Sequence, residues 1–235
     1  MNEPDVVSGA PAEPGLRERL ALVRGKIAQA AASAERDPAE ITTIVVTKFH
    51  PVSLIEELHS LGVNDVGENR HQEAQAKAAA LAGLGLTWHF VGQVQGKKAK
   101  QVRAYAQVIH SVDRPSLVDA LASDESTVDC FVQVNLTDDP ARGGVAPPDL
   151  DALLERVQAT AGLRLLGLMA VAPLGVEPRR AFARVRELAE QARRVAPEAR
   201  YLSMGMSQDY PDAISEGATH LRIGTAITGN RPVLG

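Results

Sequence analysis

The stretch that decides the fold is residues 41–51, which read ITTIVVTKFHP. Its β-branched residues from Ile41 to Val46 are typical of a strand buried on both faces, as the strands of parallel sheets are. A lysine, Lys48, follows the apolar run, and Pro51 then stops the extended chain. Lysine is rarely buried without a partner, so this strand end is the first candidate for a functional position.

Similar β-branched runs recur outward from this stretch and alternate with helical patterns. Alternation of this kind predicts an α/β fold with a parallel sheet, and eight strands at this length predict a single closed (β/α)8 barrel of the TIM type. An open doubly wound sheet is the alternative, but no G-x-G-x-x-G follows the first strand. The predicted strands are residues 43–47, 65–67, 87–91, 108–111, 130–135, 165–169, 201–203 and 220–223. The predicted helices include residues 16–36, 51–61, 70–81, 115–121, 150–160 and 179–195.

The composition fits one large domain. The chain has 235 residues, 45% of them apolar, with a net charge of −4, which argues against nucleic-acid and membrane-surface binding. We predict that residues 1–14, rich in Pro, Gly and Ala, form a disordered tail and that residues 15–235 form the barrel. The single cysteine, Cys130, is expected to be a small buried strand residue, and its lack of a disulfide partner fits the cytoplasm.

Lys48 suggests covalent chemistry at the carboxyl ends of the strands, where barrels place their functional residues. An amine at the end of a buried strand is partly desolvated, and the deprotonated form that desolvation favours attacks aldehydes to give a Schiff base. A structural alternative stays open at this point, in which Lys48 reaches solvent or pairs with Glu68 across the mouth of the barrel.

The last two predicted strands are followed by glycine turns and helix starts. Residues 203–207 read SMGMS and residues 222–229 read RIGTAITG. Loops after strands seven and eight commonly bind phosphate, because free N–H groups at helix starts favour an anion and glycine permits its close approach. The alternative is that Gly205 and Gly224 only shape turns. With Lys48, the pattern describes a pocket for a phosphorylated aldehyde, and pyridoxal 5′-phosphate is the main candidate.

The chain resembles the pyridoxal phosphate homeostasis proteins, which are single barrels similar to the N-terminal domain of alanine racemase. The resemblance extends from about residue 43 to residue 231. The stretches that carry it are VVTKFHP, VGENRHQE, WHFVGQVQGKKAK, HSVD, QVN, GLMAVAP and LSMGMSQDYPDAISEGATHLRIGTAITGNR.

This resemblance implies a set of cofactor-binding residues. Lys48 would carry pyridoxal 5′-phosphate as an internal aldimine, and Arg222 would face the pyridine nitrogen. Ser207 and the amides of two further residues would hold the phosphate, while Asn69 and one more residue would line the pocket. The complete set implied is Lys48, Asn69, Met204, Ser207, Arg222, Gly224 and Thr225.

The expected function is a carrier with little or no turnover and no catalytic residues. Arg222, a permanent cation, disfavours protonation of the ring nitrogen and weakens the ring as an electron sink. Alanine racemases compensate with a tyrosine from a second domain, which we expect to be absent because the chain ends at Gly235. We therefore expect a protein of intracellular vitamin B6 homeostasis that holds the cofactor and passes it to apoenzymes.

Two enzymatic alternatives remain at this point. A racemase-like amino-acid enzyme would need a second base near Lys48, and a class I aldolase would need an acid/base pair there without a bound chromophore. A metal site is not expected, because the six histidines lack H-E-x-x-H or other ligand spacing.

Overall fold

The strands close into a parallel eight-stranded barrel in chain order, with β8 pairing back on β1, so the predicted fold class is confirmed. The computed structural model describes residues 14–231, so the predicted tail lies outside it except for Pro14. The strands are β1 Thr42–Val46, β2 Asp65–Glu68, β3 Thr87–Phe90, β4 Val108–Val112, β5 Val128–Gln133, β6 Leu163–Met169, β7 Tyr201–Ser203 and β8 His220–Ile223.

Helices follow the strands and one helix precedes them. Nine α-helices lie within residues 14–231, and the two short ones after β7 and β8 begin where the glycine turns predicted helix starts. They are α1 Leu16–Ser33, α2 Val52–Ser60, α3 His71–Ala80, α4 Ala99–Arg103, α5 Pro115–Leu121, α6 Leu150–Ala159, α7 Pro178–Ala192, α8 Tyr210–Ser215 and α9 Thr225–Thr228.

The clearest difference from the predicted bounds is at β5 and β6, which both begin two residues earlier than predicted. Charged residues at these positions do not look like strand residues in the sequence. In the structure Asp129 of β5 and Arg164 of β6 are paired in register, and their side chains form an ion pair with an Nε–Oδ1 distance of 2.5 Å. The cross-strand pair makes the charges compatible with both strands.

The hydrophobic core has two parts of unequal size. A large cluster lies between the strands and the surrounding helices, and Cys130 is buried in it as predicted. A small cluster of Val108, Phe131 and Met169 fills part of the barrel interior. The rest of the interior contains polar side chains, because inward-facing positions of several strands carry histidine, serine or arginine.

The parallel arrangement gathers all carboxyl strand ends at one rim of the barrel. Lys48, Asn69, Ser207 and Gly224 follow β1, β2, β7 and β8, and these four strands are neighbours in the closed sheet. We call this rim the mouth. Among the described residues no helix is long and apolar enough to cross a membrane.

Candidate cofactor site at the mouth of the barrel

Lys48 lies one residue beyond the hydrogen-bonded end of β1. The N–H of Thr47 still donates to the Gly67 carbonyl oxygen at 2.9 Å, and the chain turns at Lys48. The side chain is half-buried, and its Nζ lies 6.0 Å from the centroid of the Phe49 ring. Within residues 14–231 it forms no ion pair, so the amine is available to a ligand.

The alternative pairing of Lys48 with Glu68 is wrong, because Glu68 is engaged elsewhere. Glu68 is fully buried at the end of β2, and its Oε1 accepts a hydrogen bond from Lys77 Nζ at 2.7 Å. Lys77 also bonds Glu73 Oε1 at 2.6 Å. Burial raises the pKa of Glu68, and the hydrogen bond from Lys77 opposes that rise. We call Glu68, Glu73 and Lys77 the ion cluster.

The ion cluster holds the backbone on both sides of Lys48. Lys77 Nζ donates to the Thr47 carbonyl oxygen at 2.8 Å, and the N–H of Phe49 donates to Glu73 Oε1 at 2.5 Å. Phe49 is held at φ +68°, a left-handed conformation that is strained for an aromatic residue. Two helix residues one turn apart therefore fix the peptide groups that flank Lys48 and leave its side chain free.

Asn69 follows β2 at the mouth and has an unpaired polar atom. Its side-chain Oδ1 is buried and accepts no hydrogen bond from the described residues. The β3 end approaches its backbone closely, since a Cβ on Gly92 would lie 2.4 Å from the Asn69 carbonyl oxygen. An orphaned acceptor at the mouth fits a ligand that brings a donor.

The mouth also has unpaired donors after β7 and β8, on the other side of β1 from Asn69. Gly205 adopts φ +93° and turns the chain so that Ser207 follows, whose Oγ accepts from the Ala226 N–H at 3.4 Å. Gly224 is the N-cap of α9, and within the described chain neither its N–H nor that of Thr225 meets a backbone acceptor.

The space at Gly224 is open enough for a ligand. A Cβ built there would have no neighbour closer than 3.6 Å. The hydroxyl of Ser207 and the two free N–H groups together form a donor set suited to a phosphate. The residues present therefore fit the phosphate of the cofactor that the sequence suggests.

Arg222 extends from β8 into the barrel interior and is almost fully buried. Its Nη1 donates to Ser203 Oγ at 2.6 Å and its Nη2 to the Ala170 carbonyl oxygen at 2.9 Å. Burial lowers its pKa to about 10, and Asp209 opposes the shift. The guanidinium is therefore still cationic at neutral pH.

Met204 does not line the mouth with its side chain, which corrects the expectation from the sequence. It has no exposed surface and belongs to the hydrophobic cluster between strands and helices. Its neighbour Ser203 faces the interior instead, since successive strand residues point to opposite faces.

Sequence reasoning missed two members of the ion cluster and most of the barrel interior. Glu73 and Lys77 form an i,i+4 pair of opposite charge on α3, and that spacing was a readable signal. His110 interrupts the apolar residues of β4, but a single polar residue in a strand does not reveal its partners. None of these three residues was among the candidates.

The family profile for the alanine racemase N-terminal domain matches residues 22–232. A pyridoxal phosphate homeostasis protein of Pseudomonas aeruginosa is 40% identical over 223 residues, which cover 92% of this chain and 96% of the relative. The protein of the same name from Escherichia coli is 35% identical and covers 92% and 97%.

Solved structures agree with this relationship. PipY of Synechococcus elongatus, whose structure was solved with PLP bound, superposes with a TM-score of 0.80 at 36% identity and covers 92% of this chain and 100% of its own. Alanine racemase of Corynebacterium glutamicum shares the fold at 15% identity with a TM-score of 0.68, and the match covers 93% of this chain and 62% of the racemase. The chain therefore belongs to the family of pyridoxal phosphate homeostasis proteins, built on the alanine racemase N-terminal barrel.

Proposed function

We propose that this protein binds pyridoxal 5′-phosphate covalently through Lys48 and serves as a carrier in intracellular vitamin B6 homeostasis. The observation that carries the proposal is the unpaired amine of Lys48 at a mouth that also contains unpaired phosphate donors. The PLP-bound structure of PipY, a relative at 36% identity, supports the same ligand.

Different residues of the mouth contact different parts of the ligand. Lys48 Nζ attacks the aldehyde carbon, a C=N bond forms, and the aldehyde oxygen leaves as water. Ser207 Oγ and the N–H groups of Gly224 and Thr225 hold the phosphate, while Asn69 Oδ1 takes a donor from the ligand. When bound, the cofactor supplies an electron-withdrawing ring.

Two features favour holding the cofactor over turning over a substrate. Arg222 faces the ring nitrogen in this proposal, and a buried cation disfavours protonation there. The three tyrosines are also poorly suited as the opposing base. Tyr105 contacts His71 and has a pKa raised by burial, Tyr210 is buried in the core, and Tyr201 begins β7 at the end opposite Lys48.

The carrier role implies recipients and a compartment. We propose that apoenzymes dependent on pyridoxal phosphate receive the cofactor and that the protein works in the cytoplasm. The exposed rim at Lys48 supports transfer, because a recipient's own lysine could displace Lys48 there without unfolding the barrel.

The ligand and its attachment are tested by adding pyridoxal 5′-phosphate, reducing with borohydride and mapping the pyridoxyl group by peptide mass spectrometry. We expect the adduct on Lys48 in the wild type, complete loss in Lys48→Ala, and retention in Lys26→Ala, which removes an exposed lysine of α1. An adduct that persists unchanged in Lys48→Ala, or a wild type without one, would falsify the proposal.

Turnover is tested separately on the loaded protein. Single enantiomers of amino acids are incubated with it in heavy water, and deuterium at the α-carbon is followed by mass spectrometry. We expect exchange no faster than with free cofactor. Rapid α-deuteration would favour the racemase-like alternative, whatever the result of the attachment experiment.

A further inference from the structure

The barrel interior contains a continuous line of hydrogen-bonded side chains that begins at Arg222. Arg222 Nη1 lies 2.6 Å from Ser203 Oγ, which lies 2.8 Å from His110 Nδ1. His110 Nε2 is 2.9 Å from His89 Nδ1, and His89 Nε2 is 3.0 Å from Asp65 Oδ1. We call these five residues the interior chain.

One assignment of the protons leaves no donor of the interior chain unpaired. Arg222 has no acceptor, so Ser203 Oγ accepts from it and directs its single proton to His110 Nδ1. His110 then carries its proton on Nε2 and donates to His89 Nδ1. His89 in turn donates from Nε2 to the Asp65 carboxylate. In this arrangement each histidine is held in one tautomer, and all the protons point away from Arg222.

The surroundings keep this arrangement in place. Ser203 and His110 have no exposed surface, and the His110 ring stacks on Phe131 with centroids 4.7 Å apart. Burial lowers the pKa of His110 well below its usual value, so it does not gain the second proton that would break the bond from Ser203. Only Asp65, at the far end, has a partly exposed side chain.

We propose that the interior chain positions the Arg222 guanidinium for the cofactor ring, with Ser203 and His110 as positioning residues. The proposal rests on the proposed function, because it assigns a purpose to Arg222 beside the ring nitrogen. Arg222 is held at two points, Ser203 on β7 and the Ala170 carbonyl after β6. Without the Ser203 bond the guanidinium rotates about its single remaining contact, and its field at the ring changes.

The test compares loaded variants of full-length protein. Ser203→Ala and His110→Phe remove the hydrogen bond between Ser203 and His110 and change the side-chain volume little. His110→Gln restores an acceptor and a donor. His220→Phe is the matched control, because His220 is a partly buried interior histidine whose ring centroid lies 6.4 Å from that of His110 but which bonds Thr219 instead. The readouts are the Lys48 adduct after borohydride, the absorbance maximum of the bound cofactor and its dissociation rate.

We expect the Lys48 adduct in all variants. In Ser203→Ala and His110→Phe the absorbance maximum shifts and dissociation accelerates about tenfold, which corresponds to about 1.4 kcal/mol. His110→Gln recovers part of the loss, and His220→Phe matches the wild type. Wild-type absorbance and dissociation in both Ser203→Ala and His110→Phe would overturn the proposal, even with lowered melting temperatures.

If Ser203→Ala or His110→Phe does not fold, the proposal is tested with another variant. In that case Asp65→Asn, at the partly exposed end of the interior chain, replaces the variant that did not fold. We expect the absorbance maximum and the dissociation rate to change in the same direction, by a smaller amount. No change in Asp65→Asn then counts against the interior chain. Absence of the Lys48 adduct in the wild type would instead refute the proposed function, so the two failures are distinguishable.

Discussion

Lys48 and Arg222 belong to neighbouring strands of the barrel, but the structure holds them in opposite ways. Lys48 has a free side chain, while its flanking peptide groups are fixed by Lys77 and Glu73 on the helix side of the sheet. Arg222 has its side chain fixed inside the barrel by Ser203 and Ala170. An amine that must reach and release a ligand needs a side chain that can move, whereas a cation that orients a ring needs a side chain that is fixed.

The ion cluster that holds the backbone at Lys48 and the interior chain that holds Arg222 also differ in charge. The ion cluster around Glu68 buries one lysine between carboxylates, and its strength depends on every partner being present. The interior chain reaches from Arg222 through a serine and two histidines to a carboxylate at the far end. Loss of a member should therefore affect stability most in the ion cluster and cofactor properties most in the interior chain.

The largest effect on stability is expected from Lys77→Met, which leaves Glu68 buried without its cation. We expect the free energy of unfolding to fall by about 3–5 kcal/mol, measured by urea denaturation. The double variant Glu68→Gln with Lys77→Met should recover part of this loss. Arg184→Met breaks an exposed pair with Glu187 and should cost less than about 1 kcal/mol. Equal losses in the two single variants would contradict the role of burial.

A second prediction concerns the neutral histidines of the interior. Burial lowers the pKa of His220 to about 4. The unfolded chain, with a histidine pKa near 6.5, therefore binds protons that the folded state does not, and stability falls as pH drops from about 6.5 to 4. His220 alone should account for about 3 kcal/mol, because one pKa unit corresponds to about 1.4 kcal/mol.

The measurement is the urea midpoint of wild type and His220→Phe between pH 4 and pH 7. The variant should lose less stability on acidification. Glu68 acts with the opposite sign, since its raised pKa makes the folded state bind the proton more tightly, but it is present in both proteins and cancels. Parallel pH profiles would mean that His220 is not held neutral.

The smallest effect on stability is expected from Phe49→Asn. This variant removes the aromatic contact and leaves the ion cluster intact, so it distinguishes their contributions. Asparagine tolerates φ near +68°, so relief of strain should offset the lost contact with Arg231, whose Cζ lies 3.4 Å from the ring centroid. We expect urea stability within about 1 kcal/mol of wild type and an unchanged Lys48 adduct. A loss above about 3 kcal/mol would show that the ring, not the ion cluster, holds the turn.

Much of the fold was readable because it depends on local patterns. Strands β7 and β8 have the predicted bounds, and the helix starts after them follow from glycine and polar residues next in sequence. Lys48 stood out for the same reason, as a charge directly after an apolar run. Its attachment to the cofactor, like the roles of Asn69, Ser207, Arg222 and the α9 amides, stays a prediction.

The partner of each side chain, and the face of the sheet that it takes, could not be predicted from the sequence in the same way. Glu68 looked available to Lys48, but the packing of α3 on β2 brings Lys77 closer to it. Met204 and Ser203 are adjacent in sequence, yet one enters the core outside the sheet and the other the barrel interior. The face that each residue takes depends on the register of a closed sheet, which no local pattern encodes.

The sequence by itself determined the barrel, the family and the position of a reactive amine at a strand end, because propensity and periodicity act between residues close along the chain. Only the tertiary structure decided how that amine and Arg222 are held. Asp65, His89, His110, Ser203 and Arg222 come from five separate strands. Closure of the sheet alone brings such distant residues within hydrogen-bonding distance.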